Sequence, residues 1–170
     1  MSPLVVTLAG PRHVALVDEP SAALGPGDVR ICTLLSGISA GTEMAAYRGT
    51  TPFLKKRWDP ATRLFVADTQ PSVTYPLSTW GYEEVGEVVE VGAEVADVSL
   101  GTRVYGTWGH RAEYVASASF VRGRGLPANV DPLVGIFSHI GPIALNGVLD
   151  TAVRVGETVA VFGLGVVGQL

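Results

Sequence analysis

The sequence has a single cysteine, Cys32, among its 170 residues. One cysteine excludes an internal disulfide, and it also excludes a structural zinc site built from four thiolates. Cys32 lies within the apolar run from Val29 to Leu35, which is typical of a strand. The run predicts a buried strand cysteine rather than a reactive thiol.

Charge is also scarce, since charged residues make up 16% of the chain and the net charge is −4. The hydrophobic content of 47% is that of a packed globular protein and excludes a disordered chain. The one short basic run, Lys55-Lys56-Arg57, predicts a solvated loop and not a nucleic-acid or anionic-membrane surface. Neither a secretory leader nor an apolar run of about 20 residues is found. These absences predict a cytoplasmic protein with no membrane or nucleic-acid partner.

Short β-rich runs separated by turn residues fill most of the chain, which predicts a mainly β fold. A helix is predicted from Thr42 to Arg48, ending at Gly49. Residues 50–79 are irregular and predict a long excursion that could act as a lid. The predicted strands are Leu4–Leu8, His13–Val17, Val29–Leu35, Val85–Val91, Arg103–Tyr105 and Ala112–Val115.

The pattern changes at Pro132, where two short helices are predicted, at Pro132–Ser138 and Ile143–Leu149. They lead into an apolar run, Thr158–Phe162, that predicts a buried strand. We therefore expect a β domain over residues 1–131 and the start of an α/β domain over residues 132–170.

The apolar run ends in a glycine turn that matches G-x-G-x-x-G. Such a turn between a strand and a helix is typical of dinucleotide binding, with the pyrophosphate at the helix N-terminus. A glycine-rich turn without a ligand is the alternative, because 21 residues of the chain are glycine. The predicted cofactor-binding residues are Gly163, Leu164, Gly165, Val166, Val167 and Gly168.

The acidic residue that holds the cofactor ribose is expected about 20 residues beyond this turn. The sequence ends at Leu170, so it leaves NAD and NADP as equal alternatives. A lone buried strand would also leave its edges unpaired. We therefore expect the sequence to be a fragment of a longer protein.

Several segments together resemble the medium-chain dehydrogenase/reductase superfamily. The stretch Trp80 to Gly92 resembles its G-H-E-x-x-G-x-V-x-x-V-G pattern, and Gly101-Thr102-Arg103-Val104 resembles its G-D-R-V turn. Ala112-Glu113-Tyr114-Val115 and the glycine turn follow in the family's order. The resemblance implies a GroES-like β-barrel catalytic domain followed by the first strand and glycine turn of a Rossmann domain.

The departures from this family concern its catalytic zinc. In zinc-dependent members a cysteine, a histidine and a third ligand stand where this sequence has Ala40, Tyr82 and Ser138. Alanine has no donor atom, and neutral hydroxyl groups are poor zinc ligands beside thiolate and imidazole. The sequence therefore predicts no zinc.

The string Ser39 to Glu43, taken with Gly81-Tyr82-Glu83, is similar to the bacteriochlorophyllide-dehydrogenase-like subgroup. This similarity implies a zinc-free, NAD- or NADP-dependent oxidoreductase acting on a small-molecule secondary alcohol or ketone, as a homodimer. Two alternatives stay open: an enoyl or quinone reductase, and a non-catalytic GroES-like binding module.

Without zinc, hydrogen-bond donors must polarise the substrate oxygen. The candidate catalytic residues are Thr42, Tyr82, Glu83, Ser138 and His139. Tyr82 either donates to the substrate oxygen or fills the volume of the lost zinc site. Thr42 either relays a proton or caps the helix. Glu83 is expected to be a buried, salt-bridged structural carboxylate.

The three histidines have different predicted roles. His139 is either a general acid or base, or a hydrogen-bonded core residue. His110 follows a glycine and is expected to be a structural turn residue, and His13 a surface one.

Overall fold

The computed structural model describes residues 2–67 and 71–170. Within these ranges the fold is mainly β, as predicted, and every paired strand is antiparallel. The strands are β1 (Leu4–Gly10), β2 (His13–Asp18), β3 (Asp28–Ser36), β4 (Lys56–Asp59), β5 (Leu64–Ala67), β6 (Glu84–Val91), β7 (Arg103–Gly106) and β8 (Glu113–Ser117).

The central sheet has the strand order β7-β6-β3-β8, and β1 and β2 form a separate hairpin. The hairpin is joined to the sheet through the segment that precedes β8. There Val5 bridges Arg111, and the Val6 N–H donates to the His110 carbonyl at 2.8 Å. This connection fixes the backbone of His110 between the hairpin and the sheet.

The core follows from the alternation of side chains along β3. Val29 and Ile31 are fully buried and pack with Val88, Val104 and Trp108. Arg30, which lies between Val29 and Ile31, binds Glu90 and Glu113 on the neighbouring strands, both at 2.6 Å. Val29 and Ile31 thus point into the apolar core, and Arg30 points to the opposite face of the sheet, where it forms ion pairs.

The same alternation corrects the expectation for Cys32, whose side chain is exposed. Cys32 follows the inward-facing Ile31, and successive strand residues point to opposite faces. The prediction of a strand was confirmed, but the prediction of a buried thiol was wrong.

The first helix, α1, spans Thr42–Arg48 as predicted. Gly49 ends it in the left-handed conformation, with φ 74°, and its N–H caps the carbonyls of Ala45 and Ala46. The first turn of α1 carries Glu43, which is 4% exposed. The helix α1 is therefore short, and its first turn places the Glu43 side chain in the protein interior.

Residues 50–79 were expected to be irregular, and this expectation was wrong in part. The segment begins with a 3-10 turn, Pro52–Leu54, and continues into the hairpin of β4 and β5. Phe65 stabilises this hairpin through edge-to-face contacts with two rings. Its ring centroid lies 4.9 Å from that of Phe53 and 5.1 Å from that of Trp58. The expected excursion also covers residues 68–70, which lie outside the described residues, and a lid stays a prediction.

The remaining helices lie after β8, at α2 (Ala118–Val121), α3 (Pro132–Gly135), α4 (Ile140–Asp150) and α5 (Val166–Gln169). A 3-10 turn, Ile136–Ser138, joins α3 to α4, so the helix predicted from Pro132 to Ser138 is a helical segment of mixed type. Asp131 caps α3 by accepting the Leu133 N–H at 2.8 Å. This cap and Pro132 set where the segment begins.

The buried strand predicted at Thr158–Phe162 is not present. The described chain offers these residues no neighbouring strand, and Phe162 is 95% exposed. A strand needs a partner for its backbone N–H and carbonyl groups, and an apolar run alone does not supply one.

In the described ranges, no single helix is long and apolar enough to cross a membrane. The helical segments Pro132–Ser138 and Ile140–Asp150 are long and apolar enough only when taken together, and they are bent by 56° relative to one another.

Candidate active site

A cavity of about 400 Å³ lies between the start of β6 and the helical segment Pro132–Ser138. We call it the candidate cavity. Four of the five predicted catalytic residues line it: Tyr82, Glu83, Ser138 and His139. The cavity wall also includes Glu84, Tyr105, Thr107, Arg122 and Arg124. Residues separated by more than 50 positions in the sequence therefore meet at one place.

Tyr82 is half-buried at the wall of this cavity, and its ring meets the His139 ring edge-to-face at 5.2 Å. Its hydroxyl forms no hydrogen bond with any other described residue. A phenol hydroxyl can both donate and accept a hydrogen bond. Tyr82 therefore brings an unengaged donor to the candidate cavity.

His139 is exposed, and its ring makes no hydrogen bond within the part of the chain that the structure describes. The alternative of a hydrogen-bonded core histidine was therefore wrong. Ser138 precedes it at the end of the 3-10 turn, and its hydroxyl donates to the Gly135 carbonyl. That hydrogen bond orients the Ser138 side chain toward its own backbone.

Gly135 sets how closely this helical segment approaches the sheet. A Cβ placed on Gly135 would lie 2.7 Å from Val85 Cγ2 and 3.2 Å from Leu126 Cδ2. Carbon atoms in ordinary contact are about 3.5–4.0 Å apart. The absence of a side chain therefore lets Ser138 and His139 approach the carboxylates at the start of β6.

Glu83 is buried, as predicted, with 9% of its surface exposed. Burial raises the pKa of its carboxyl group, and the nearby Glu43 raises this pKa further. The predicted salt bridge was wrong, because Glu83 forms no ion pair with a described residue. Its carboxyl group therefore holds a proton more tightly than an exposed glutamate does.

Thr42 is exposed and does not line the candidate cavity. It is the first residue of α1, and the N-cap is Gly41, which has no side chain that could cap the helix. The capping alternative for Thr42 was therefore wrong. Instead, the Ser39 hydroxyl accepts the Thr42 N–H at 3.3 Å, and the Glu43 carboxylate accepts the Ser39 N–H at 2.9 Å.

His110 was expected to be a structural turn residue, but it binds acidic side chains from two other segments. Its Nε2 lies 2.5 Å from Glu43 Oε2, and its Nδ1 lies 3.9 Å from Glu84 Oε1. The hydrogen bond with Glu43 raises the pKa of His110, and the charges of Glu43 and Glu84 act in the same direction.

Glu84, the second residue that sequence reasoning missed, is fully buried at 1% exposure. Burial raises the pKa of its carboxyl group. The Trp108 N–H donates to Glu84 Oε2 at 2.9 Å, and this hydrogen bond lowers the pKa. The only sequence signal was two adjacent glutamates at the start of a β-rich run. The partner His110 lies on another segment, so no local spacing indicated the pairing.

The donor atoms at this site do not fit a zinc ion. Within the described ranges, no group of three or more His, Cys, Asp or Glu side chains is arranged to hold a metal. The three positions that the resemblance assigns to zinc ligands hold Ala40, Tyr82 and Ser138. The Ser138 hydroxyl is already engaged with a backbone carbonyl.

The glycine turn has part of the geometry expected of a pyrophosphate site. Gly163 has φ 98°, a conformation that favours glycine, and Gly165 precedes the four-residue helix α5. Gly168 packs so closely on the Gly163 carbonyl that a side chain would not fit there. The backbone around Gly165 is open, so a phosphate group has room to approach it.

Residues 25–163 match the family model of the alcohol dehydrogenase GroES-like domain. The chain therefore belongs to this family, within the medium-chain dehydrogenase/reductase superfamily, as the resemblance implied.

D-guloside 3-dehydrogenase of Shigella flexneri is 29% identical over the whole chain, which covers 49% of that relative. The 2-desacetyl-2-hydroxyethyl bacteriochlorophyllide A dehydrogenase of Cereibacter sphaeroides is 35% identical over 55% of the chain and 24% of its own length. The chain thus spans about half the length, or less, of these curated relatives.

Among solved structures, CAD from Helicobacter pylori, complexed with NADP(H), has a similar fold. Its TM-score is 0.71 at 18% identity, over 98% of this chain and 54% of that chain.

Proposed function

We propose that the protein containing this chain is a zinc-free, nicotinamide-dependent oxidoreductase acting on a secondary alcohol or ketone. The observation that carries the proposal is the candidate cavity itself. It combines an unengaged tyrosine hydroxyl, an exposed histidine and buried carboxyl groups, and the zinc-ligand positions hold no set of zinc donors. Relatives that share this domain are named dehydrogenases, one of them for a hydroxyethyl substituent.

The nicotinamide, when bound, supplies the hydride acceptor or donor. The glycine turn, Gly163 to Gly168, would hold its pyrophosphate, and a related fold is known with NADP(H) bound. The proposal includes the division of the chain into residues 1–131 and 132–170, with the turn in the second part. A homodimer and a cytoplasmic location stay predictions.

The chain's own residues then manage the substrate oxygen and one proton. Tyr82 donates its hydroxyl proton in a hydrogen bond to the carbonyl oxygen, where negative charge develops during reduction. His139 lies against the Tyr82 ring and is exposed to the same cavity, so it can exchange a proton with the substrate oxygen. In alcohol oxidation these roles run in reverse.

The experiment measures metal content and activity on the protein as its gene encodes it. We expect zinc far below one ion per chain, binding of NADH or NADPH by fluorescence titration, and oxidation of secondary alcohols that survives a chelator. One zinc per chain, together with activity lost on chelation and restored by zinc, would overturn the zinc-free mechanism.

The same assay separates the other two functions. Reduction of enones or quinones with no alcohol oxidation would identify an enoyl or quinone reductase. Binding of neither cofactor would leave a non-catalytic module.

A further inference from the structure

Two arginines, Arg122 and Arg124, line the candidate cavity together with Tyr82. They follow α2 and are separated only by Gly123. The cavity volume of about 400 Å³ lies within the range of about 300–1,000 Å³ that is usual for small-molecule sites. Both arginines therefore belong to the site that the proposed function assigns to the substrate.

Arg122 shows how an arginine of this segment binds a carboxylate. Its Nε donates to Asp97 Oδ2 at 2.5 Å, and its Nη2 donates to Asp97 Oδ1 at 3.2 Å. These two hydrogen bonds join one edge of the guanidinium to both oxygens of the carboxylate, which is the bidentate geometry that arginine favours. The charge of Arg122 is therefore already matched by an acidic side chain.

Arg124 has the same guanidinium edge but no acidic partner for it. Its Nη1 donates to the Phe120 carbonyl, and its guanidinium carbon lies 4.4 Å from the centre of the Phe120 ring. Its Nε and Nη2 form no hydrogen bond with a described residue, and neither atom is shut off from solvent. Arg124 also forms no ion pair within the described ranges. The Nε–Nη2 edge of this half-buried cation is therefore open.

The contacts with Phe120 hold this open edge in place. The aromatic ring attracts the cation above it, and the hydrogen bond from Nη1 restrains the guanidinium plane. A restrained side chain loses less conformational freedom when a ligand binds to it. The Arg124 guanidinium is thus preorganised to bind a planar anion through two parallel hydrogen bonds.

The cationic groups at the candidate cavity are more exposed than the acidic ones. His139 and Arg122 are exposed, and Arg124 is half-buried. Glu83 is 9% exposed, and the side chain of Glu84 is 0% exposed. Burial also raises the pKa of both carboxyl groups, so each stays neutral to a higher pH than an exposed glutamate does. The open positive charge of Arg124 is therefore not cancelled by the acids of the same cavity.

We propose that Arg124 binds a carboxylate group of the substrate, so that the oxidoreductase acts on hydroxy acids and the corresponding keto acids. This inference rests on the function proposed above and names the substrate class of the same cavity. The Nε and Nη2 of Arg124 each donate to one carboxylate oxygen, as those of Arg122 do to Asp97. The hydroxyl group of the same molecule then lies at Tyr82.

The carboxylate is unchanged by the reaction. Oxidation breaks the C–H and O–H bonds of the secondary alcohol, the hydride passes to the oxidised nicotinamide, and the proton is released to water. The keto acid and the reduced nicotinamide are the other products, so atoms and electrons balance. Arg124 stays protonated throughout and serves as a binding residue.

The first test compares hydroxy acids with their amides in the protein as its gene encodes it. Lactate and its longer-chain homologues carry a carboxylate, whereas lactamide and the matching longer amides have nearly the same shape without the charge. We expect kcat/KM to be about 10-fold or more higher for the best hydroxy acid than for its amide, because the amide cannot form the charged bidentate pair. The difference should lie mostly in KM, since the carboxylate is remote from the step that breaks bonds.

Three variants assign this preference to one residue. Arg124→Gln should abolish it, because the charge and the paired donors are lost. Arg124→Lys keeps a cation near the Phe120 ring but has no planar fork, so its preference should lie between those of Arg124→Gln and the wild type. Arg154→Gln is the matched control, because Arg154 is exposed and does not line the candidate cavity, and it should behave as the wild type does.

The second test measures carboxylate binding without activity. Propionate has a carboxylate and no hydroxyl group, so it can occupy the Arg124 edge but cannot be oxidised as an alcohol. Titration with propionate should shift the NMR resonance of the Arg124 Nε–H, and propionamide should leave it in place. Propionate should also compete with the best hydroxy acid in the wild type and lose this effect in Arg124→Gln.

The outcomes separate this inference from the proposed function. Equal kcat/KM for hydroxy acids and amides, with an Arg124 resonance that propionate does not move, would refute the carboxylate site and leave the proposed function standing. A preference that survives in Arg124→Gln, or a loss in that variant confined to NADH or NADPH affinity, would also refute it. If no alcohol is oxidised with either cofactor, the proposed function and the substrate class fail together, whereas a resonance moved by propionate would still support the carboxylate site.

Discussion

Gly135 is the position where one added methyl group should affect catalysis without touching a reacting group. A Cβ there would lie 2.7 Å from Val85 Cγ2, so the helical segment must move away from β6 by about 1 Å to reach ordinary contact. This segment carries Ser138 and His139 at the candidate cavity. A displacement of about 1 Å can reduce the rate about 100-fold.

The added methyl group should lower both stability and activity. Overpacking typically costs about 1–3 kcal/mol, and replacing a helical glycine with alanine returns up to about 1 kcal/mol. Gly135→Ala should therefore lower the free energy of unfolding by about 0–3 kcal/mol and kcat/KM by about 10- to 100-fold. Denaturant unfolding and steady-state kinetics measure the two quantities.

Gly147→Ala is the matched control, since Gly147 is also helical but a Cβ there meets nothing within 4 Å. It should stabilise the protein by up to about 1 kcal/mol and leave kcat/KM unchanged. Combining Gly135→Ala with Val85→Ala removes the closest contact, so the double variant should regain activity relative to Gly135→Ala alone. If Gly135→Ala behaves like Gly147→Ala, the reasoning about the close approach is refuted.

Three further predictions concern the site and the sheet. Tyr82→Phe should lower kcat by about 100-fold, because it removes the free hydrogen-bond donor. Tyr105→Phe should change kcat little, because the Tyr105 hydroxyl already donates to a backbone carbonyl. Equal losses in the two variants would contradict the donor role of Tyr82. Because burial raises the pKa of Glu84, the folded state binds its proton more tightly than the unfolded state does, and stability falls as pH rises from 4.5 through the folded pKa. Glu84→Gln should flatten this fall in unfolding experiments, and an unchanged slope would be evidence against it. Gly92→Ala places a Cβ 2.3 Å from a backbone carbonyl and should cost about 3 kcal/mol or more, whereas Gly27→Ala, with open space around it, should cost little in the same measurement.

The sequence predicted the strands of the central sheet and of the β1-β2 hairpin because apolar residues alternate with polar ones there and glycines mark the strand ends, but it did not predict β4 and β5. The same reasoning failed at Thr158–Phe162, where the run is apolar but the described chain supplies no neighbouring strand. It also failed at Cys32, which was expected to be buried although Val29 and Ile31 point into the core and Cys32 points to the other face. Local sequence pattern indicates which residues can form a strand. The rest of the fold decides which strand pairs with it and which of its side chains point into the core.

At the candidate cavity, too, local sequence pattern did not predict contacts between distant residues. Tyr82, Glu83, Ser138 and His139 were found because family positions mark them, and the cavity brings them together. His110 was assigned a structural role because a glycine precedes it, and its binding to Glu43 depends on contacts 67 residues apart in the chain. No spacing rule connects two such positions.

The charges around His110 account for the proton affinity of the buried carboxyl groups at the site. Three carboxyl groups, those of Glu43, Glu83 and Glu84, are buried close to His110. Burial raises the pKa of Glu83 and of Glu84, and the charge of His110 acts against that effect in both, joined by His139 at Glu83. These two carboxyl groups therefore accept a proton more readily than exposed glutamates do, and under the proposed function an acceptor of this kind is needed for the proton that alcohol oxidation releases.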